Sequence, residues 1–181
     1  MRFLSSDHHF FHHNILKYEA AHRPFRDVEE MNEALIARWN ERVGADDEVV
    51  YLGDFAFGRA ATPERVREVL ARLNGRKRLV RGNHDPRPAL CLELGFERVD
   101  DELALTLEGW GEEVRLCHYP LGEGERTQGR PAPDGRWLLH GHVHGLWRVR
   151  PELKMVNLSV EAWGLAPASE REVVDLICAS V

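Results

Sequence analysis

Arg2-Phe3-Leu4-Ser5-Ser6-Asp7-His8-His9 sets a strand-length, largely apolar run directly against metal-capable side chains. The same joint recurs along the chain. Glu48-Val49-Val50-Tyr51-Leu52 runs into Gly53-Asp54, and Arg78-Leu79-Val80-Arg81 into Gly82-Asn83-His84-Asp85. Trp137-Leu138-Leu139-His140 runs into Gly141-His142-Val143-His144, and His118 follows another strand-like run over residues 113–117. In α/β sheets the carboxyl ends of strands form the crevice in which ligands bind. Residues far apart in sequence are therefore expected to meet on one rim.

Helical patterns separate these joints. A short helical patch is expected over residues 14–20. Asp27, with Glu30 as its capping-box partner, opens an amphipathic helix with Met31, Leu35 and Trp39 on one face, running to about Val43 and stopped by Gly44. Thr62-Pro63 starts a second, with Val66, Val69, Leu70 and Leu73 inward and Gly75 closing it. Residues 87–94 read as a short helix. From Phe96 the texture changes to strands over 103–107 and 113–117 around Gly109-Trp110-Gly111. A Gly- and Pro-rich loop over 120–135, strands over 137–140 and 156–160, and a helix capped by Ser169 with Glu172 complete the chain. The order β-α-β-α-β-α, then mostly β, then a helix, is that of a mixed α/β protein, read as one domain over residues 1–181.

Composition excludes several classes. Hydrophobic residues make up 43% of the 181 and charged residues 30%, as in soluble globular chains. No apolar run approaches the ~20 residues of a membrane helix. Asp7 interrupts the N-terminal stretch before a signal-peptide core could form, so the cytoplasm is the expected location. A net charge of −6 counts against a nucleic-acid partner, while the Arg-rich stretch keeps a nuclease open as a rival reading. The stretch carrying Arg72, Arg76, Lys77, Arg78, Arg81 and Arg87 reads as a solvated face. Cys91, Cys117 and Cys178 form no CxxC pair and read as buried free thiols.

Histidine is the unusual component: nine of the ten fall into four clusters. Carboxylate, imidazole and amide oxygen together suit borderline divalent ions such as Mn, Fe, Zn, Co or Ni. Cysteine is absent from the clusters, which argues against a closed structural zinc site. Asp7, His9, Asp54, Asn83, His118, His142 and His144 are too many donors for one tetrahedral ion but suit two that share a carboxylate. Ions about 3.5–4 Å apart can clamp the attacking and departing oxygens at phosphorus, and they lower the pKa of a bound water to about 7. Asp7-x-His9 and His142-x-His144 put two donors on one side of an extended segment. Glycines at 53, 82 and 141 stand where backbone must approach a ligand-filled crevice.

Taken in order, Asp7-x-His9, Gly53-Asp54, Gly82-Asn83-His84-Asp85, His118 and Gly141-His142-x-His144 resemble the motif set of the calcineurin-like metallophosphoesterase superfamily. The resemblance implies an α/β/β/α sandwich of two mixed β-sheets flanked by helices, and two divalent metals, with Mn favoured. One metal would take Asp7, His9, Asp54 and His144. The other would take Asp54, Asn83, His118 and His142, with Asp54 bridging. His84 would protonate the leaving oxygen, with Asp85 holding its ring. The implied reaction is phosphoester hydrolysis, of diesters before monoesters, by in-line attack of a metal-bridging hydroxide; the substrate class extends to nucleotides. Phe55-Ala56-Phe57 after Gly53-Asp54 departs from the continuation found in protein serine/threonine phosphatases. The opening is similar to a small bacterial and phage-type subgroup, with Phe11 in place of its glycine and His12 and Asn14 matching.

Other residues are given plainer expectations. His140 reads as a packing residue, and His8, His13 and His22 as surface groups or as groups next to the ligands. Arg23, Arg59 and Arg81 read as phosphate contacts or surface ion pairs. Trp39, Trp137 and Trp163 read as core. The rival class is a non-catalytic binding module, but such proteins lose ligand positions, and here every one is present.

Overall fold

The computed structural model describes residues 1–121 and 134–180. β1 (Arg2–Ser5), β2 (Glu48–Tyr51), β3 (Arg76–Val80) and β4 (Arg98–Asp100) lie side by side and parallel, Leu4 opposite Val50, Val50 opposite Arg78, and Arg78 opposite Arg98. Further along the chain, β10 (Ala168–Ser169) returns antiparallel to the free side of β1, pairing Ser169 with Phe3. A second sheet has the order β5 (Glu102–Thr106), β6 (Glu113–Cys117), β7 (Leu138–His140), β9 (Met155–Asn157), β8 (Val149–Arg150). β7 is parallel to both of its neighbours, while the outer pairs are antiparallel.

Alternation along the strands divides the core. Phe3, Val49, Tyr51 and Leu79 face one side of the first sheet and pack with three helices: α2 (Val28–Arg42), α3 (Pro63–Arg72) and α4 (Pro88–Leu94). Leu4, Val50, Leu52 and Val80 face the other side and meet Val114, Leu116, Leu139 and Val156 of the second sheet. Val173 and Ile177 of α5 (Glu170–Cys178) join that inter-sheet cluster. The result is the expected α/β sandwich of two mixed sheets with helices packed against them. Among the described residues no helix is long and apolar enough to cross a membrane.

Helix ends follow their chemistry. Asp27 accepts a hydrogen bond from Glu30 N–H (2.8 Å), but the Glu30 carboxylate reaches back to Arg26 N–H rather than to Asp27, so the expected reciprocal box is displaced by one residue. The Ser169–Glu172 box is complete. α1 (Ile15–Tyr18) is a single turn within the patch expected over residues 14–20. Lys77 Nζ donates to the carbonyls of Leu70 and Leu73, closing α3. In the same stretch Arg72 pairs with Glu33, Arg78 with Asp100 and Arg81 with Asp101. β4, β8 and β10 were not expected, and the strand expected over 156–160 stops at Asn157, where Val160–Trp163 turn into a 3-10 helix. Cys91 and Cys117 are buried, but Cys178, at the exposed end of α5, is not. Most of the loop expected over 120–135 lies outside the described residues.

Trp39 is fully buried and its Nε1 donates to Asn74 O at 3.0 Å. Trp39→Ala should cost about 3–5 kcal/mol, read as a lower midpoint in urea unfolding.

Candidate metal centre

The ends of β1, β2, β3 and β7 open onto one rim, where two groups of side chains each offer converging donors. In one, Asp7, His9 and His144 present ligand atoms all within 4.8 Å of one another; in the other, Asp54, His118 and His142 do the same. Asp54 lies between them, its Oδ2 3.6 Å from His9 Nε2 and 3.5 Å from His118 Nε2. Each group holds three of the four residues expected for one ion: Asp54 is not in the first, and Asn83 is not in the second. Asn83 is exposed in the turn after β3, beside His84, whose N–H donates to Asp54 Oδ1 at 2.9 Å.

Hydrogen bonding leaves specific atoms bare. Asp7 Oδ2 accepts from Ser6 Oγ, from Ser159 Oγ at 2.8 Å and from His142 N–H at 2.9 Å. Asp7 Oδ1 and both ring nitrogens of His9 are buried with no hydrogen-bond partner among the described residues. Leaving a buried donor or acceptor unmet costs about 1–3 kcal/mol. A cation bound by these atoms would remove that cost, so the donor set fits divalent metal. His118 Nδ1 is committed to Leu52 O at 2.7 Å and His144 Nδ1 to Glu161 Oε1 at 3.0 Å, which leaves each Nε2 for the rim. Second hydrogen bonds of this kind orient metal-ligating imidazoles.

The backbone is bent to make this possible. Asp7, His9, Asp54, His142 and His144 all have positive φ, between 49° and 72°. Past the end of the strands, Asp7 N–H still donates to Gly53 O and His9 N–H to Asp54 O, holding the two loops side by side. A Cβ on Gly82 would overlap the Asp54 carboxylate, and one on Gly141 would overlap Asp7 Oδ2 and Ser6 Oγ. Glycine is required at both positions by the close approach expected from sequence.

Behind the rim lies a feature that the sequence did not disclose. Arg23, expected at a phosphate or in a surface pair, is 1% exposed and makes neither contact. Its guanidinium pairs with the buried Glu161 at 2.7 Å and donates to the carbonyls of Asp7 and His8. Glu161 thus links Arg23 to His144. Asn157 supports the same loop by donating to His144 O and Trp147 O. Ser159 and Glu161 follow a strand just as the other site residues do, and that position was the available signal.

Charge is distributed unevenly among the imidazoles. Burial pushes His118 down, but its hydrogen bond to Asp54 and the charges of Asp7 and Asp54 override this and hold it at about 9. Burial also opposes protonation of His144, and Glu161 raises it nonetheless. Burial and the neighbouring His118 depress His142 to about 4. Of the two readings open for His8, the surface one fails: it is fully buried against Tyr51 and Trp39, and desolvation takes it to about 3. His140 is a packing residue, as read from sequence, against Trp147. His13 and His22 are exposed, and His12 lies beside His9 with ring centroids 5.7 Å apart.

His84 stands at the edge, its Nε2 3.9 Å from Asp54 Oδ2 and its ring 4.1 Å from that of Phe57. Asp85 does not hold the His84 ring. Its two oxygens accept N–H bonds from Asp54, Phe55 and Gly82, because the turns after β2 and β3 both aim unpaired amides at it. Its work is to clamp those two turns together.

A sandwich of two mixed sheets carrying two His/Asp groups that could hold metal ions defines the class of protein. The chain belongs to one family with an uncharacterized protein of Methanocaldococcus jannaschii, to which it is 36% identical over 97% of its length and 90% of the relative's. The gene 66 protein of Mycobacterium phage L5 is 30% identical over 83% of each chain. The crystal structure of a protein of unknown function from Aquifex aeolicus has the same fold, with a TM-score of 0.75, 27% identity and coverage of 98% of this chain and 99% of that one. No family model matches.

Two outcomes follow from the geometry. Arg23→Ala strands the Glu161 charge in the interior and should destabilise the protein by about 3–5 kcal/mol in denaturant unfolding. A divalent ion entering the second group must displace the proton that His118 holds up to about 9. Mn2+ affinity, read by competition with a fluorescent chelator, should therefore climb about tenfold per pH unit between pH 6.5 and 9 for that proton, and level off above.

Proposed function

We propose that this protein is a binuclear metal-dependent phosphoesterase of the calcineurin-like metallophosphoesterase superfamily, acting on phosphodiesters. The observation that carries the reading is the pair of buried, unpartnered donors, Asp7 Oδ1 and the His9 ring, set within ligand distance of His144 and next to a second Asp/His group. Asp7, His9, Asp54 and His144 would hold one ion, and Asp54, Asn83, His118 and His142 the other. Two divalent ions, Mn2+ first among them, would supply Lewis-acid charge to a phosphoryl group and acidify a water.

The chain's own residues do the rest. Leu52 O fixes one His118 proton on Nδ1, and Glu161 does the same for His144, so Nε2 is the nitrogen each ring would offer to an ion on losing its second proton. Asp85 fixes the Asp54 turn and, through Gly82, the turn that carries His84. The His84 Nε2 faces the Asp54 side of the rim with the ring packed on Phe57, and it delivers a proton to the departing oxygen. One edge of the ring is open, since His84 is 33% exposed, and a substrate can reach it without rearrangement.

Metal analysis combined with Mn2+-supplemented assays on bis(p-nitrophenyl) phosphate, p-nitrophenyl phosphate and a cyclic nucleotide tests this. The expected result is diester turnover that chelation abolishes. Asp54→Ala should lose both metal and turnover. His84→Ala should retain metal and lose roughly 10²–10⁴ in kcat, most for esters with basic leaving groups. Full activity in metal-free protein, or a His84→Ala variant that matches wild type, would reject the mechanism.

A further inference from the structure

Beside the rim a cleft of about 480 Å³ opens between α3 and α4. Its wall is made by Phe55, Val66, Leu94 and Phe96, all buried core residues, and His84 and Phe57 also line it. Small-molecule sites usually run to about 300–1,000 Å³ and are lined mainly by apolar side chains with a few polar groups. The polar groups at the back of the cleft, on Asp85 and Cys91, are already engaged. Both Asp85 oxygens are bound by backbone N–H groups, and the Cys91 thiol, pushed by burial up to about 12, donates to Pro86 O at 3.2 Å. A hydroxylated or amide-bearing group placed there would lose water without gaining partners, whereas a hydrocarbon ring would lose nothing.

His84 joins this cleft to the rim, since it lines the cleft while its Nε2 faces Asp54. Phe57 is 37% exposed, yet it is held between the His84 ring and the edge-on His12 ring at 4.8 Å, so its position is set before any ligand arrives. The geometry points to an apolar leaving-group subsite: the organic group on the ester oxygen next to His84 is flat and hydrocarbon-rich, aryl in size, and packs against Phe57 inside the cleft. This rests on the phosphoesterase reading above, and it adds which organic group the ester carries.

Titration calorimetry of the Mn2+-supplied protein with phenylphosphonate and methylphosphonate isolates the subsite, because neither probe has an ester bond to cleave. Phenylphosphonate should bind at least tenfold more tightly. Leu90→Trp, which fills the cleft from a partly exposed position, should remove that preference and leave methylphosphonate affinity unchanged. Ala61→Leu, entering from the loop before α3, should reduce it in the same direction. Equal affinities in the wild-type protein, or a preference that survives both substitutions in folded protein, overturn the subsite and leave the phosphoesterase reading standing. If neither phosphonate nor inorganic phosphate binds, both fall together.

Discussion

One carboxylate oxygen, Asp7 Oδ2, holds the ends of the two sheets together. Ser6 continues β1 of the first sheet, while His142 and Ser159 follow β7 and β9 of the second, and all three donate to that atom. Ser6 and Ser159 also form an isolated bridge between the sheets, and Val160 N–H donates to Ser6 O. With Oδ2 saturated, the second oxygen of the same carboxylate is turned toward His9 and His144. Fixing the sandwich and presenting a ligand atom are thus one act. The arrangement also accounts for the burial of Asp7, which would be costly for a carboxylate with fewer partners.

Five of the expected ligands sit in left-handed backbone. For residues with a Cβ this costs roughly 1–2 kcal/mol each, which together approaches the whole net stability of an ordinary domain. Such strain persists only where the surroundings over-determine the conformation. The surroundings here are specific: the Asp85 clamp on two turns, the Arg23 bonds to the Asp7 and His8 carbonyls, and the loop ladder from Gly53 and Asp54. Two apolar clusters, one on each face of the first sheet, supply the offsetting stability.

Much of this could be read from the sequence because it depends on local pattern. The short apolar runs before Asp7, Asp54 and Asn83 and the 3.6-period faces of α2 and α3 each carry their own signal. Glycines 82 and 141 announced close backbone approach. What escaped was long-range or very short. β4 and β10 span too few residues to show periodicity, and each exists because a neighbouring strand offers an unpaired edge. Arg23 and Glu161 lie far apart in sequence, and the one local mark on either is that Glu161 follows a strand. Asp85 sits next to His84 in the chain and so suggested a side-chain partnership, but three N–H groups from two turns compete for its oxygens and win. His8 sits one place from two expected ligands, yet its ring packs into the aromatic core against Phe10, Trp39 and Tyr51.

The order of strands in the first sheet also bears on how the protein is made. β1 is an interior strand, but it leaves the ribosome first, and its antiparallel neighbour β10 comes after every other strand. Until Ser169 reaches Phe3, one edge of β1 has open hydrogen-bonding groups, and the arms of the rim contributed by Ser159 and Glu161 are also late to emerge. An edge of this kind is a template for mispairing between nascent chains. Synthesis from one end to the other therefore completes the sheet and the rim almost together, once β10 has emerged.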